Sequence, residues 1–217
     1  MKKGAIFDMD GTLFDTERLY ARIWSVTAEH FGQSPHPDFP FAVAGTGGEG
    51  QLEVIRRYYP DVDAQAFRED CVARLEKILQ SGLPEKRGVR EILLFFRERD
   101  VKIAIASSSS HDRILEYIRR AELESFFDVI VSGEDIVHGK PEPDIFLLAA
   151  NRLGCLPEEC YVFEDSINGT RAGIAAGCET FMIQDMFPPT KDLCAGCAGI
   201  CFSLLEAKHK IEVSNHY

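Results

Sequence analysis

The sequence predicts an α/β protein: a parallel sheet flanked by helices, with a helical domain inserted after the first strand. Three observations lead there. Short apolar runs alternate with segments of helical periodicity, which implies right-handed βαβ units. The alternation breaks from about Thr16 to Pro84, where helical patterns appear without a convincing strand. The residues that follow the predicted strands are acids, hydroxyls and a lysine, and parallel sheets bind ligands beyond the carboxyl ends of their strands.

The first strand is Ala5-Ile6-Phe7, which runs into Asp8-Met9-Asp10-Gly11-Thr12. In the insertion, Leu19, Ile23, Val26 and Thr27 mark one helix, and Phe67, Cys71, Leu75, Ile78 and Leu79 mark another. Loops are expected at Ser34-Pro35-His36-Pro37 and Gly45-Thr46-Gly47-Gly48, and hinges near 14–17 and 81–88. Val89, Ile92, Leu93 and Phe96 then fall at i, i+3, i+4 and i+7, the stripe of an amphipathic helix. A strand follows at 101–106, then a helix through Ile114, Leu115 and Ile118, a strand at 127–131 and a helix at 145–153. The fourth strand is 161–163. Ser166 reads as an N-cap and Gly177 as the stop of a helix rich in Gly169, Ala172, Gly173, Ala175 and Ala176. Those small residues let a helix lie close to a sheet. Residues 179–183 form the fifth strand, and the tail beyond about Asp185 has no clear pattern. The expected division is a core of 1–15 with 86–217 and an inserted helical domain of 16–85.

Composition narrows the function. A chain of 217 residues, 45% hydrophobic and 27% charged, has the make-up of an ordinary soluble globular protein. Its net charge of −11 argues against a nucleic-acid polymer as partner, but leaves room for a small phosphorylated metabolite. Met1-Lys2-Lys3-Gly4 leads into a strand without the apolar stretch of a signal peptide, and no apolar run is long enough for a bilayer. A cytoplasmic protein without membrane contact is expected. The seven cysteines are then expected as free thiols, Cys194-x-x-Cys197 included, since no second ligand pair accompanies it.

Asp8 and Asp10 stand two apart at the end of a buried strand, so their side chains share a direction. Asp-Gly is also an ordinary turn signal. Other strand ends favour chemistry: Ser107-Ser108-Ser109-Ser110 after the second, Gly139-Lys140-Pro141 after the third, Glu164-Asp165-Ser166 after the fourth. Such groups suit phosphoryl transfer. A carboxylate can attack phosphorus, and a second can move protons. A hard cation such as Mg²⁺ offsets their repulsion of phosphate, and Ser and Lys donors hold the nonbridging oxygens.

These motifs resemble the haloacid dehalogenase (HAD) superfamily, in its subgroup with a helical cap after the first motif. Its β-phosphoglucomutase-like phosphatases are the most similar, the stretch Phe14-Asp15-Thr16-Glu17 included. The resemblance spans Gly4 to about Gln184 and implies a Rossmann-like core that a mobile cap opens and closes. It makes Asp8 the nucleophile, Asp10 the general acid and base, and Ser107, Ser108 and Lys140 the phosphate-binding groups. Mg²⁺ is implied on the Asp8 carboxylate, the Asp10 main-chain carbonyl and Asp165, with Glu164 a further ligand or a support. A monomer is expected, because the cap needs freedom to move.

Neighbouring residues have plainer readings. Ser108 to Ser110 also read as a turn with an N-cap, and Asp112 could cap the next helix. His111 and His138 read as solvent-facing loop residues, and Arg56-Arg57 as a solvated helix face. Gly45 to Gly50 suit a cap loop facing substrate or a plain flexible one.

The resemblance also sorts activities. Hydrolytic dehalogenases lack the second acid that Asp10 supplies. Phosphonatases need a cap lysine, absent from Ala44-Gly45-Thr46-Gly47-Gly48. β-Phosphoglucomutases carry a histidine where this chain has Tyr20, and a basic cap residue near Gly48. Arg87-Gly88-Val89 replaces a common Pro-Gly-Val without touching a catalytic role. Hydrolysis of a phosphate monoester through an aspartyl-phosphate is the expectation, with a mutase as the alternative. A non-catalytic binding module of the same fold is disfavoured, because every motif residue is kept.

Overall fold

The computed structural model describes residues 1–43, 46, 48–80, 82–185 and 188–214, with Glu17 by its backbone alone. Gly45 and Gly47 of the glycine loop and Ser81 of the second hinge lie outside the described residues. The chain divides into two compact units, Met1–Phe14 with Glu85–Tyr217, and Asp15–Pro84.

The first unit is built on a six-stranded sheet in which every neighbouring pair is parallel. Its strands are β1 (Gly4–Phe7), β2 (Lys102–Ser107), β3 (Val129–Ser132), β4 (Cys160–Glu164), β5 (Glu179–Ile183) and β6 (Gly199–Cys201), in the order β3-β2-β1-β4-β5-β6. β1 to β3 build outward on one side; β4 then starts again on the other side of β1. That reversal makes the gap between β1 and β4 the topological switch point, where open α/β sheets bind ligands.

Both faces of the sheet are covered. α7 (Asp144–Leu153) and α8 (Ile167–Ala175) pack Phe146, Ala149, Ala150 and Ala172 on one face with Ile6, Ala104 and Val162. The predicted close approach of α8 is present: a Cβ on Gly173 would lie 2.7 Å from Thr180 Oγ1 and 3.0 Å from Val162 Cγ1. The opposite face carries an aromatic ladder across three register partners. Phe7 stacks on Phe163 at 4.6 Å, Phe163 stacks on Phe181 at 5.6 Å, and Phe96 of α5 (Val89–Arg97) packs against Phe7 and Tyr161. α6 (His111–Arg120) packs against β3, and α10 (Leu204–Ser214) against α5. At Gly88, φ is +93° and a Cβ would meet Leu205 N at 2.2 Å, so the turn into α5 requires glycine. The arginine before it sits outside that constraint.

The structure amends several expectations. β6 and the helix before it, α9 (Lys191–Gly196), give the tail regular structure that its pattern did not show. β3 is an edge strand with Val129 and Ile130 only partly buried, and not a buried run. Ser110 takes the N-cap position of α6, while Asp112 lies within its first turn.

The second unit holds α1 (Thr16–His30), α2 (Phe39–Val43), α3 (Gly48–Tyr58) and α4 (Ala64–Leu79), and no strand among the described residues. α2 and α3 carried no clear periodic signal in the sequence. Trp24 stacks on Phe67 at 6.0 Å, Phe39 meets Trp24 edge-on at 5.4 Å, and Tyr59 stacks on Phe67 at 5.1 Å. α4 begins on Asp63, whose Oδ1 accepts from Gln65 N at 2.9 Å and Ala66 N at 3.1 Å. Val26 and Ile78, apolar members of the helical stripes, are exposed. Among the described residues, no helix is long and apolar enough to cross a membrane.

Candidate active site

β1 ends at Phe7, and Asp8 N still donates to Phe163 O at 3.0 Å, so the first acid remains attached to the sheet. The chain then turns sharply. Gly11 N donates to Phe14 O at 2.8 Å, while Leu13 N and Phe14 N donate to Met9 O at 2.9 and 3.1 Å. Gly11 has φ +86°, and a Cβ there would lie 2.2 Å from Asp165 Oδ2. The loop carrying Asp8 and Asp10 is therefore seated on the acid that follows β4. Thr12 Oγ1 also donates to Asp165 Oδ1 at 3.3 Å.

Lys140 reaches this edge from the loop after β3. Its Nζ donates to Asp8 Oδ1 at 2.6 Å, Glu164 Oε1 at 2.8 Å and Ala106 O at 3.3 Å. An ammonium has three N–H groups, and here each has an acceptor, from the ends of β1, β4 and β2. The Phe146 ring lies 5.1 Å from the same nitrogen. The Lys140, Asp8 and Glu164 side chains are only 6%, 9% and 2% exposed, so these charges interact in little water.

Burial and electrostatics pull the lysine in opposite directions. Burial alone would lower the Lys140 pKa, but the Asp8 and Glu164 carboxylates outweigh it and hold the ammonium charged. Burial pushes Asp8 up to about 8, the Glu164 and Asp10 charges add to the rise, and Lys140 opposes it. Further positive charge would favour the ionised acid.

Glu164 is held on both oxygens. Oε1 faces Lys140, and Oε2 accepts from Ser166 N at 2.7 Å and Ser166 Oγ at 2.9 Å. Ser166 Oγ in turn accepts from Gly169 N at 3.0 Å, the N-cap expected from the sequence. Gly169 is required there, since a Cβ would overlap Glu164 Oε1 at 1.7 Å.

The second strand contributes hydroxyls. Ser107 is buried and its Oγ accepts from Ser109 N at 3.1 Å, while Ser109 Oγ donates to Asp10 Oδ2 at 2.9 Å. The structure thus groups Asp8, Lys140 and Glu164, seats Asp165 against the first loop, and ties Asp10 to the serine turn. Ser108 is half-buried, and its carbonyl packs on Gly133. His111 and His138 are exposed, His138 meeting Asp144 at 3.0 Å. Ser109 was missed as a site residue; nothing within the four-serine run distinguishes it.

Among the described residues no three His, Cys, Asp or Glu side chains gather as a metal cage. Mg²⁺ needs no such cage: it takes one or two carboxylates, keeps waters and accepts substrate phosphate oxygens. Asp8, Asp165 and the Asp10 carbonyl would offer it hard oxygens, and the glycine at position 11 keeps side-chain bulk away from Asp165. The residues fit that ion.

A parallel sheet with acids, a lysine and serines at its carboxyl edge carries the groups that phosphoryl transfer uses. The chain belongs to the haloacid dehalogenase-like hydrolase family, whose sequence model matches residues 2–177. It is 36% identical over 178 residues to a phosphorylated carbohydrates phosphatase of Thermotoga maritima, covering 82% of each protein. It is 34% identical over 190 residues to a Drosophila melanogaster protein with a provisional assignment as pseudouridine-5'-phosphatase, covering 83% of this chain and 80% of that one. Among solved structures, a Thermotoga maritima protein provisionally assigned as a beta-phosphoglucomutase superposes with a TM-score of 0.78 at 32% identity, over 97% of this chain and 98% of that one.

Proposed function

We propose that the protein is a Mg²⁺-dependent phosphatase that hydrolyses a small phosphorylated sugar through an aspartyl-phosphate. The observation that carries this reading is Lys140, clamped between Asp8 and Glu164 at the switch point of the sheet. The named phosphorylated carbohydrates phosphatase among its relatives supports the substrate class.

Asp8 attacks phosphorus, the bond from phosphorus to the sugar oxygen breaks, and Asp10 gives that oxygen its proton. Asp10 then takes a proton from the water that attacks the aspartyl-phosphate, inorganic phosphate leaves, and Asp8 is restored. Lys140 reduces the repulsion between Asp8 and the incoming anion, and the Ser107 hydroxyl and the amide groups of its turn hold the nonbridging oxygens. Glu164, engaged by Lys140 and Ser166, keeps the ammonium in place. Asp8, the Asp10 carbonyl and Asp165 would hold Mg²⁺, which when bound supplies positive charge against the phosphate and the crowded carboxylates. The helical unit is the proposed cap and the source of sugar selectivity.

The test is phosphate release from a panel of glucose 6-phosphate, glucose 1-phosphate, fructose 1-phosphate, ribose 5-phosphate, nucleotides and an aryl phosphate, with Mg²⁺ and with chelator. Turnover should require the metal, and Asp8→Asn should lose at least about 10⁴-fold in kcat while keeping its circular dichroism. Activity retained in that variant removes Asp8 from the nucleophile's role. The structural likeness to a provisionally assigned beta-phosphoglucomutase favours one second reading. Isomerisation of glucose 1-phosphate without phosphate release would establish it.

A further inference from the structure

We propose that Ser109 is the positioning residue of the general acid: it holds the Asp10 carboxylate toward the leaving oxygen and the Ser107 hydroxyl toward the phosphoryl group. The inference rests on the phosphatase reading above and assigns a role which that reading leaves open.

Two hydrogen bonds from one residue carry it. Ser109 Oγ donates to Asp10 Oδ2 at 2.9 Å, and Ser109 N donates to Ser107 Oγ at 3.1 Å. The first fixes one oxygen of Asp10, so rotation of the carboxylate is restricted and the group has a defined place from which to deliver a proton. The second occupies a lone pair of Ser107 Oγ. A hydroxyl that accepts there has its own hydrogen available for another acceptor, and a phosphoryl oxygen is the acceptor the proposed chemistry brings. Asp10 and Ser109 are 99 positions apart and belong to loops after adjacent strands, β1 and β2. Their separation is therefore set by the sheet, and a general acid gains from being held in the geometry of proton transfer.

Ser109 also differs from its neighbours. Ser108 is half-buried with its carbonyl against Gly133, and Ser110 is exposed as the N-cap residue of α6, without a side-chain cap bond. One serine of the run is thus bonded to both Asp10 and Ser107, and the proposal concerns that one alone.

Leaving-group dependence separates positioning from support of the fold. Para-nitrophenolate departs without a proton, whereas the alkoxide of a sugar must receive one. Ser109→Ala, Ser109→Thr and Asp10→Asn are compared with wild type on para-nitrophenyl phosphate and on the sugar phosphate of the panel that wild type turns over fastest. Ser109→Ala is expected to lower kcat/KM, which reports only the steps through departure of the alcohol, about 10- to 100-fold on the sugar phosphate and about threefold or less on the aryl ester. Ser109→Thr, which keeps the hydroxyl, is expected to recover most of the loss. Equal losses of kcat/KM on the two esters overturn the proposal and leave Ser109 a structural residue. Wild-type kcat/KM on the sugar phosphate in Ser109→Ala overturns it as well. If Asp10→Asn loses kcat/KM equally on both esters, Asp10 is not the acid and the mechanism itself fails; a loss of kcat is expected on both, because hydrolysis of the shared aspartyl-phosphate uses Asp10 as base. If Asp10→Asn discriminates and Ser109→Ala does not, only the role of Ser109 falls.

Discussion

The two units of this chain bury different things. At the sheet edge of the first, Asp8, Glu164 and Asp165 are buried along with the Lys140 ammonium. The helical unit buries Trp24, Phe39, Tyr59 and Phe67, and among its described residues no Asp, Glu, Lys or Arg is buried as a whole. A buried ion pair costs desolvation that its attraction barely repays, whereas packed aromatic rings stabilise through burial and ring geometry. The helical unit thus has the interior of a region selected for folding. The sheet edge holds an arrangement that stability alone would not favour, which is the mark of a site kept for chemistry.

Breaking each interior in turn tests that contrast. The largest effect is expected from Lys140→Met, which leaves Asp8 and Glu164 buried without their cation. It should cost about 3–5 kcal/mol in urea unfolding at neutral pH and abolish turnover. Adding Glu164→Gln to it should recover part of the stability and none of the activity. Removing the central ring of the helical unit, Trp24→Ala, should cost about 3–4 kcal/mol through the cavity it leaves, a loss that no change of charge nearby repairs. Gly169→Ala forces a methyl group into Glu164 Oε1 and should cost about 1–3 kcal/mol, with reduced phosphate release because Lys140 loses its partner's position.

The smallest effect concerns an ion pair in partial solvent, which sharpens the comparison from the other side. Bonds from the Arg152 guanidinium and Ser132 N hold the Asp135 carboxyl down at about 2. A folded-state pKa below the ordinary value stabilises the fold above about pH 4, and the stabilisation disappears as pH falls from 4 toward 2. Asp135 is an exposed residue whose side chain is 26% accessible, so screening reduces the effect of Asp135→Asn to about 1 kcal/mol at pH 7. Thermal unfolding of the two proteins should differ at pH 7 and converge near pH 2.

The reach of sequence reading differs between the same two regions. Four of the first five strands are apolar runs with covered faces, and β5 occupies the predicted residues. The N-cap of α8 was equally legible, because Ser166 acts on a residue three positions away. β6 was not, since three residues are too few to show a period. In the helical unit Val26 belongs to the helical pattern of α1, yet it is exposed, while Trp24, outside that pattern, is buried. Periodicity gives a helix a face, but its neighbours decide which residues along that face are covered.

By itself the sequence determined the chemical inventory: two acids after the first strand, serines after the second, a lysine after the third, two more acids after the fourth. Those motifs are local, and their residue types survive any rearrangement of the chain. Tertiary structure alone decided which of them meet. Lys140 lies 132 positions from Asp8 and 24 from Glu164, and its three donors find acceptors because β1 sits between β2 and β4. Ser109 was indistinguishable from the serines beside it until the fold set its hydroxyl 2.9 Å from Asp10. Local pattern encodes elements through neighbouring residues, whereas a contact between distant strand ends depends on strand order and register, which belong to the packed sheet.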